Sequence, residues 1–136
     1  MLVVDASAVA ELILGRSSAN EIGNHFADHG FDLHAPHLLD VEVLSALRRL
    51  VMSREASPVR ADEAIADLLD LPIERYGHDM LVPRVWQLRE NFSPYDATYL
   101  ALAETIADHH VPLLTADARL ARAVRDHAEL PVLLVA

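Results

Sequence analysis

Short apolar runs alternate with longer amphipathic stretches along the whole chain. The first run, Leu2-Val3-Val4, ends at Asp5 and is typical of a strand buried inside a sheet. Similar runs predict further strands at residues 31–35, 72–76, 111–115 and 131–135. Because strands joined by long amphipathic segments usually lie parallel, the pattern predicts a mostly parallel sheet.

The segments between the predicted strands have apolar residues three or four positions apart, which predicts helices. The spacing indicates helices over about 7–14, 18–29, 39–54, 81–92 and 94–108, one that opens at Ser57-Pro58, and one that carries Leu120 and Val124. Proline at the first position of a helix is a start signal. Helices between successive parallel strands cover both faces of a sheet, so the chain is predicted to be an α/β protein.

Acids follow two of the predicted strands. In open parallel sheets, ligands bind beyond the carboxyl ends of the strands, where the strand order reverses. Asp5 follows the first strand and Asp117 follows the fourth, while Glu42 and Asp96 lie near the starts of two predicted helices. If the first and fourth strands are neighbours, all four carboxylates can converge on one crevice.

Composition narrows the chemistry that this crevice can perform. The 136 residues amount to 15.0 kDa, which predicts a single domain over residues 1–136. Asp and Glu outnumber Arg 21 to 11, for a formal charge of -10, and the chain has no Lys. The absence of Lys excludes a phosphate-binding loop with its Lys, Schiff-base chemistry and kinase activity. The absence of Cys excludes thiolate nucleophiles and Cys-based metal sites.

Each acid also has a purely structural interpretation. Asp5 and Asp117 can cap the helices that follow them, Ser93 and Asp96 form a capping-box pattern, and Asp40 is interpreted as a cap. Four carboxylates in one crevice, with no Lys and no neighbouring Arg in the motifs, would repel one another unless cations neutralised them. Oxygen ligands without thiolates select Mg²⁺ or Mn²⁺, and such ions activate water against a phosphodiester. The joint pattern therefore favours a nuclease-type site.

Four motifs occur in order along the chain and resemble those of PIN-domain ribonucleases. They are VDAS at 4–7, DVEV at 40–43 leading to ALRR at 46–49, SPYDATYLALA at 93–103, and LLTADARL at 113–120. Within that family the sequence is similar to the toxin half of VapBC toxin–antitoxin pairs. The resemblance covers essentially the whole chain. It implies a three-layer α/β/α sandwich around a five-stranded, mostly parallel sheet.

The resemblance also implies a function. It implies an endoribonuclease toxin that depends on Mg²⁺ or Mn²⁺ and hydrolyses RNA phosphodiester bonds. It further implies a homodimer that a cognate VapB-like antitoxin holds inactive. Attack of metal-activated water on phosphorus would leave a 5′-phosphate and a 3′-hydroxyl.

Carried over residue by residue, the resemblance implies an acidic quartet made of Asp5, Glu42, Asp96 and Asp117. Glu42 would ligate a second metal or act through water, and the other three acids would hold one metal directly. Ser7 and Thr115 match hydroxyls that, in the family, order the metal-bound water or the acids.

Further polar side chains each allow two interpretations. Glu21, His25 and His29 share one face of a predicted helix, which is either solvated or a transition-metal site. His109 and His110 follow a predicted helix and are expected to stabilise its C-terminal end. Five arginines are either phosphate contacts or partners of surface acids, namely Arg48, Arg49, Arg119, Arg122 and Arg125.

Other classes of function are weighed against the ribonuclease. The alternative that stays open is a catalytically silent PIN-like domain that acts as an interaction module for a basic partner. A receiver domain or haloacid-type phosphatase is excluded, because Lys is absent and position 7 is Ser rather than Asp. The N-terminal apolar run has no positive region and contains Asp5 and Glu11, so neither a signal peptide nor a membrane span is predicted. A cytoplasmic protein is expected.

Overall fold

The computed structural model describes residues 1–108 and 110–135, so the predicted role of His109 lies outside the described residues. Within these ranges the chain forms five strands, seven α-helices and one 3-10 helix. The strands are β1 (Leu2–Val4), β2 (Leu33–Pro36), β3 (Ile73–Tyr76), β4 (Leu113–Thr115) and β5 (Val132–Leu134).

The helices lie where the apolar spacing predicts them, with ends that differ by up to three residues outside the 81–92 segment. They are α1 (Ala6–Ile13), α2 (Ala19–Asp28), α3 (Leu38–Met52), α4 (Pro58–Asp70), α5 (Val82–Gln87), α6 (Pro94–Thr105) and α7 (Ala118–His127), and the 3-10 helix spans Asp79–Leu81. None of the helices in the described residues is long and apolar enough to cross a membrane.

Two predicted elements are corrected by the structure. The helix predicted over 81–92 ends at Gln87. Leu88 and Phe92 have the spacing of a helix but lie in the turn that follows it, in which the Phe92 N–H donates to the Leu88 carbonyl at 3.1 Å. The second strand starts later than predicted, because Phe31 has a left-handed φ of 55° that ends any extended run. That strand also includes Pro36, one residue beyond the predicted end.

The five strands form one sheet in the order β3-β2-β1-β4-β5, and every neighbouring pair is parallel. The predicted parallel sheet is therefore confirmed. The chain moves from β1 outward to β3 and then returns to β4 on the other side of β1. The strand order thus reverses between β1 and β4, which is where a ligand site is expected.

Helices cover both faces of this sheet and complete a three-layer α/β/α sandwich, as predicted. On one face α1 packs against α2, α3 and α4. On the other, α6 packs against α5 and against β1, β2 and β4. Residues 97–103 of α6 are all buried, so the middle of this helix is enclosed by the core and its position against the sheet is fixed.

Candidate active site

A cavity of about 280 Å³ opens at the carboxyl ends of β1 and β4. It is lined by all four acids of the predicted quartet, Asp5, Glu42, Asp96 and Asp117, and we call it the quartet cavity. The expectation that the first and fourth strands are neighbours is confirmed by the parallel pairing of Val3 with Leu113 and Val4 with Leu114. The two strands supply one acid each from their ends, and α3 and α6 supply the other two from opposite faces of the sheet.

Asp5 is the most deeply placed acid of the cavity, with 5% of its surface exposed. It caps α1, because its Oδ1 accepts the backbone N–H of Ala8 at 3.0 Å. The same oxygen accepts the Ser7 hydroxyl at 2.7 Å, and Oδ2 accepts the Thr115 hydroxyl at 2.5 Å. The capping interpretation of Asp5 is therefore correct, yet it does not exclude a place in the site.

The hydroxyls of Ser7 and Thr115 have fixed directions. Ser7 Oγ accepts the N–H of Ala116 at 2.9 Å, and Thr115 Oγ1 accepts the N–H of Asp117 at 3.0 Å. Ser7 Oγ also lies 3.2 Å from Thr115 Oγ1, but both hydroxyls lie closer to Asp5, and each donates its single proton to that carboxylate. The turn after β4 thus orients the two donors that hold the carboxylate after β1.

Burial raises the pKa of Asp5 to about 6, against the opposing effect of its three hydrogen bonds. The negative charge of Asp117 raises it slightly further. In the absence of a cation, ionised Asp5 is therefore costly, because its charge is removed from water. A cation in the cavity would lower this pKa.

Glu42 is held by Tyr99, a residue that the sequence analysis missed. The Tyr99 hydroxyl is buried and donates to Glu42 Oε1 at 2.6 Å. Burial and the neighbouring Asp96 raise the pKa of Glu42, and the hydrogen bond from Tyr99 opposes this. The sequence did contain a signal, since Tyr99 follows Asp96 by three residues and so lies on the same face of its helix.

Asp96 and Asp117 share an arginine, which corrects the expectation that no basic side chain lies beside the acids. Arg119 donates from Nη2 to Asp96 Oδ2 at 3.0 Å and to Asp117 Oδ2 at 3.4 Å. Asp117 also caps α7, because its Oδ1 accepts the N–H groups of Arg119 at 2.9 Å and of Leu120 at 3.2 Å. Ser93, in turn, caps α6 through the N–H of Asp96 at 3.2 Å.

Asp40 is not the cap that the sequence predicted. Its two oxygens accept Nε and Nη2 of Arg75 at 2.7 and 2.9 Å. Asp40 lies in the first turn of α3, where it faces β3 and joins the helix to that edge strand. It thereby supports the helix that carries Glu42 and does not line the quartet cavity.

Across residues 1–108 and 110–135, no group of three or more His, Cys, Asp or Glu side chains is placed so that it could hold a metal ion. The transition-metal interpretation of Glu21, His25 and His29 is therefore not supported, and His29 Nδ1 instead bonds the His25 carbonyl at 2.8 Å. The quartet has oxygen donors of the right kind, but Arg119 occupies two of its carboxylates.

The candidate arginines lie in different places. Arg49 lines the quartet cavity and also an adjoining cavity of about 460 Å³, where Arg16 joins it. Arg48 lines an apolar groove between α3 and α4, and Arg125 lines a cavity near the C-terminal end of α7. Arg122 is exposed on α7.

The fold and the quartet cavity define a class of α/β/α proteins, those that gather carboxylates at the switch point of a parallel sheet. The model of the PIN domain family matches residues 2–126. The chain is 43% identical over 122 residues to Ribonuclease VapC1 of Mycobacterium tuberculosis, which covers 89% of both chains. It is 36% identical over 135 residues to VapC ribonuclease Mb0985 of Mycobacterium bovis, covering 99% of this chain and 98% of that one.

A solved structure extends this likeness to the fold. The crystal structure of PAE2754 from Pyrobaculum aerophilum matches 96% of this chain and 81% of its own, with a TM-score of 0.71 and 20% identity. The chain therefore belongs to the PIN-domain family, and within that family it is of the VapC type.

Proposed function

We propose that this protein is an endoribonuclease toxin that uses Mg²⁺ or Mn²⁺ to hydrolyse RNA phosphodiester bonds. The observation that carries the proposal is the convergence of Asp5, Glu42, Asp96 and Asp117 on one cavity at the switch point of the sheet. Sequence similarity supports it, because relatives at 43% and 36% identity are named ribonucleases.

The donor set of the cavity fits a hard divalent cation. It consists of carboxylate and hydroxyl oxygens, and the sequence has no Cys that could supply a thiolate. From the described part of the chain, Asp5 Oδ2 accepts the Thr115 hydroxyl alone, and a carboxylate oxygen has room for a second partner. Asp5, Asp96 and Asp117 would hold one cation, and Glu42 would hold a second or act through water.

The side chains around the acids have positioning roles in this proposal. Ser7 and Thr115 direct their protons at Asp5, which orients it and opposes the rise of its pKa. Tyr99 binds one oxygen of Glu42 and so fixes the direction of this carboxylate. When bound, a divalent cation supplies charge neutralisation at the phosphodiester and lowers the pKa of water.

RNA would enter along two adjoining cavities. The 460 Å³ cavity shares Ser7 and Arg49 with the quartet cavity and adds Arg16. Arg49 and Arg16 are exposed, so their guanidinium groups are accessible to phosphates on either side of the cleaved bond. The adjacent Glu11 and Glu55 are both engaged by serine hydroxyls, at 3.0 and 2.9 Å.

The proposal includes partner chains. Neutralisation by a VapB-like antitoxin and assembly as a homodimer follow from membership of the VapC type. Exposed apolar side chains offer surfaces for such chains in two regions of the molecule. One includes Leu44 and Met52 beside the groove between α3 and α4, and the other includes Val82 and Trp86 on α5.

One observation favours the alternative of a catalytically silent interaction module. Arg119 already forms ion pairs with two of the four carboxylates, as a basic group from a partner would. In that case the cavity would bind a basic peptide and would need no metal. The two functions differ in what added Mg²⁺ does to RNA.

The deciding experiment uses the full chain, freed of any partner, with single-stranded RNA. We expect cleavage with Mg²⁺ or Mn²⁺ and none after EDTA treatment. Asp96→Asn should abolish cleavage while the circular dichroism spectrum and unfolding midpoint stay close to those of the wild type. Wild-type protein that leaves RNA intact in Mg²⁺ and Mn²⁺, or an Asp96→Asn variant of full activity, would contradict the proposal.

A further inference from the structure

Arg119 lies outside the quartet cavity but contacts two of its acids. Its side chain is 72% exposed, whereas that of Asp96 is 17% exposed. A solvent-accessible cation therefore covers carboxylates that the fold has partly removed from water. Arg119 uses the single nitrogen Nη2 for both acids, in contrast to the two-nitrogen pairing of Arg84 with Glu104.

The hydrogen bonds of Asp117 decide which of its oxygens a metal could use. Oδ1 accepts the backbone N–H groups of Arg119 and Leu120, which occupy its two acceptor positions and cap α7. The oxygen that remains is Oδ2, and Arg119 is bound to it. A cation that ligates Asp117 without breaking the helix cap must therefore take the oxygen that Arg119 holds.

Asp96, on α6, also has an oxygen that Arg119 holds and that a metal would need. Its Oδ2 is the second oxygen that Nη2 of Arg119 contacts. A guanidinium and a divalent cation bound to the same carboxylates would repel each other at short distance. The two positive charges therefore compete for this pair of acids.

We propose that Arg119 is a displaceable counter-ion of the site. It neutralises Asp96 and Asp117 while no metal is bound, and it releases them when a divalent cation binds. This inference rests on the proposed function, because it assumes that the quartet binds a metal. The exposed position of Arg119 makes the release inexpensive, since exposed ion pairs contribute little to stability.

Release gives Arg119 a second partner. Its guanidinium then lies at the mouth of the cavity without a carboxylate, and its fork of donors suits a phosphate of the RNA backbone. Metal and RNA would thus bind cooperatively, because the metal frees the group that contacts the phosphate. Removal of Arg119 should strengthen metal binding in the absence of RNA and weaken RNA binding in the presence of metal.

The matched control is Arg122, which is exposed one turn further along α7 and does not line the quartet cavity. Arg119→Gln and Arg122→Gln remove the same charge from the same helix. Isothermal titration with Mn²⁺ and no RNA should give a Kd for Arg119→Gln about three- to tenfold below that of the wild type. The Kd of Arg122→Gln should stay within about twofold.

RNA binding is measured by fluorescence anisotropy of a short labelled single strand, with Ca²⁺ in place of Mg²⁺ to suppress cleavage. Arg119→Gln should bind this RNA about fivefold more weakly than Arg122→Gln does. A merely structural role would weaken the binding of metal and RNA together, and that result overturns the inference. Equal Mn²⁺ affinities in the two variants overturn it as well.

The outcome is separable from that of the proposed function. Magnesium-dependent cleavage by the wild type, combined with equal Mn²⁺ affinities in the two variants, removes the role of Arg119 and leaves the nuclease proposal intact. Absence of Mn²⁺ binding in all three proteins overturns both. Opposite changes in metal and RNA affinity, confined to Arg119→Gln, support both.

Discussion

Charge is balanced in the ion pairs that join the helices to their neighbours and unbalanced in the quartet cavity. Arg75 donates from two nitrogens to Asp40 at 2.7 and 2.9 Å, and within residues 1–108 and 110–135 neither side chain forms a second ion pair. At the quartet cavity, four carboxylates face two guanidinium groups, that of Arg49 in the lining and that of Arg119 beside it, and among the described residues only Arg119 forms ion pairs with any of the four.

This difference separates a structural role from a chemical one. A one-to-one pair offsets the cost of removing its charges from water. Burial, and to a smaller extent a neighbouring carboxylate, raises the pKa values of Asp5 and Glu42, so that keeping these acids ionised costs stability. Under the proposed function, the surplus of carboxylates at the cavity is neutralised by a cation from solution.

The largest expected effect comes from Asp5→Asn, which should change activity and stability in opposite directions. RNA cleavage should fall at least about 1000-fold, because a metal ligand is lost. In EDTA at pH 7.5 the variant should be more stable than the wild type by about 1–3 kcal/mol, because a buried charge is removed. Urea unfolding measures the change in stability, and RNA cleavage measures the change in activity. If Asp5→Asn is less stable than the wild type in EDTA at pH 7.5, the buried charge of Asp5 does not cost stability.

The effects of pH should follow from the raised pKa of Asp5. A group whose pKa is raised on folding contributes stability at low pH that is lost as the pH rises through its folded value, here about 6. The stability advantage of Asp5→Asn at pH 7.5 should therefore have mostly disappeared at pH 4. At a Mn²⁺ concentration well below its Kd, wild-type cleavage should decline below pH 6 by about tenfold per pH unit, because protonated Asp5 binds metal poorly. If Asp5→Asn is more stable than the wild type by the same amount at pH 4 and pH 7.5, the gain in stability does not come from removal of the charge.

A smaller effect is expected for Tyr99→Phe, which removes the hydrogen bond to Glu42 and keeps the ring. Cleavage should fall about tenfold, because Glu42 loses its fixed direction. The control is Tyr95→Phe, on the same helix with 60% of its surface exposed, which should leave cleavage within about twofold. Initial rates over a range of Mn²⁺ concentrations distinguish a loss of metal affinity from a loss of turnover. Equal cleavage rates for Tyr99→Phe and Tyr95→Phe would exclude a positioning role for Tyr99.

The smallest change in activity is expected for Asp40→Asn, which breaks a balanced pair. The free energy of unfolding should fall by about 0.5–1.5 kcal/mol, since both side chains are partly exposed. Cleavage per folded molecule should stay within about twofold, because Asp40 does not line the cavity. A loss of cleavage as large as that of Asp5→Asn would show that Asp40 acts in the site and is not only a structural partner of Arg75.

Most of the fold was predictable because its signals are local. The apolar runs at 2–4 and 111–115 predicted β1 and β4, and the rules for parallel sheets predicted that acids after these strands would meet. At Leu88 and Phe92 such local signals predicted the wrong structure. Their spacing fits a helix, but a turn of the chain brings both to the core equally well.

The sequence by itself determined the order of strands and helices, the family, and which four acids are brought to one edge of the sheet. Periodicity and short motifs carry this information, because they act over a few residues. Ser7 and Thr115 were also predicted beside the acids, but tertiary structure alone decided that Tyr99 and Arg119 contact them. Tyr99 meets Glu42 across 57 positions and Arg119 meets Asp96 across 23, so no local spacing records either contact. Each depends on how two helices are rotated against the sheet, which only the packed core fixes.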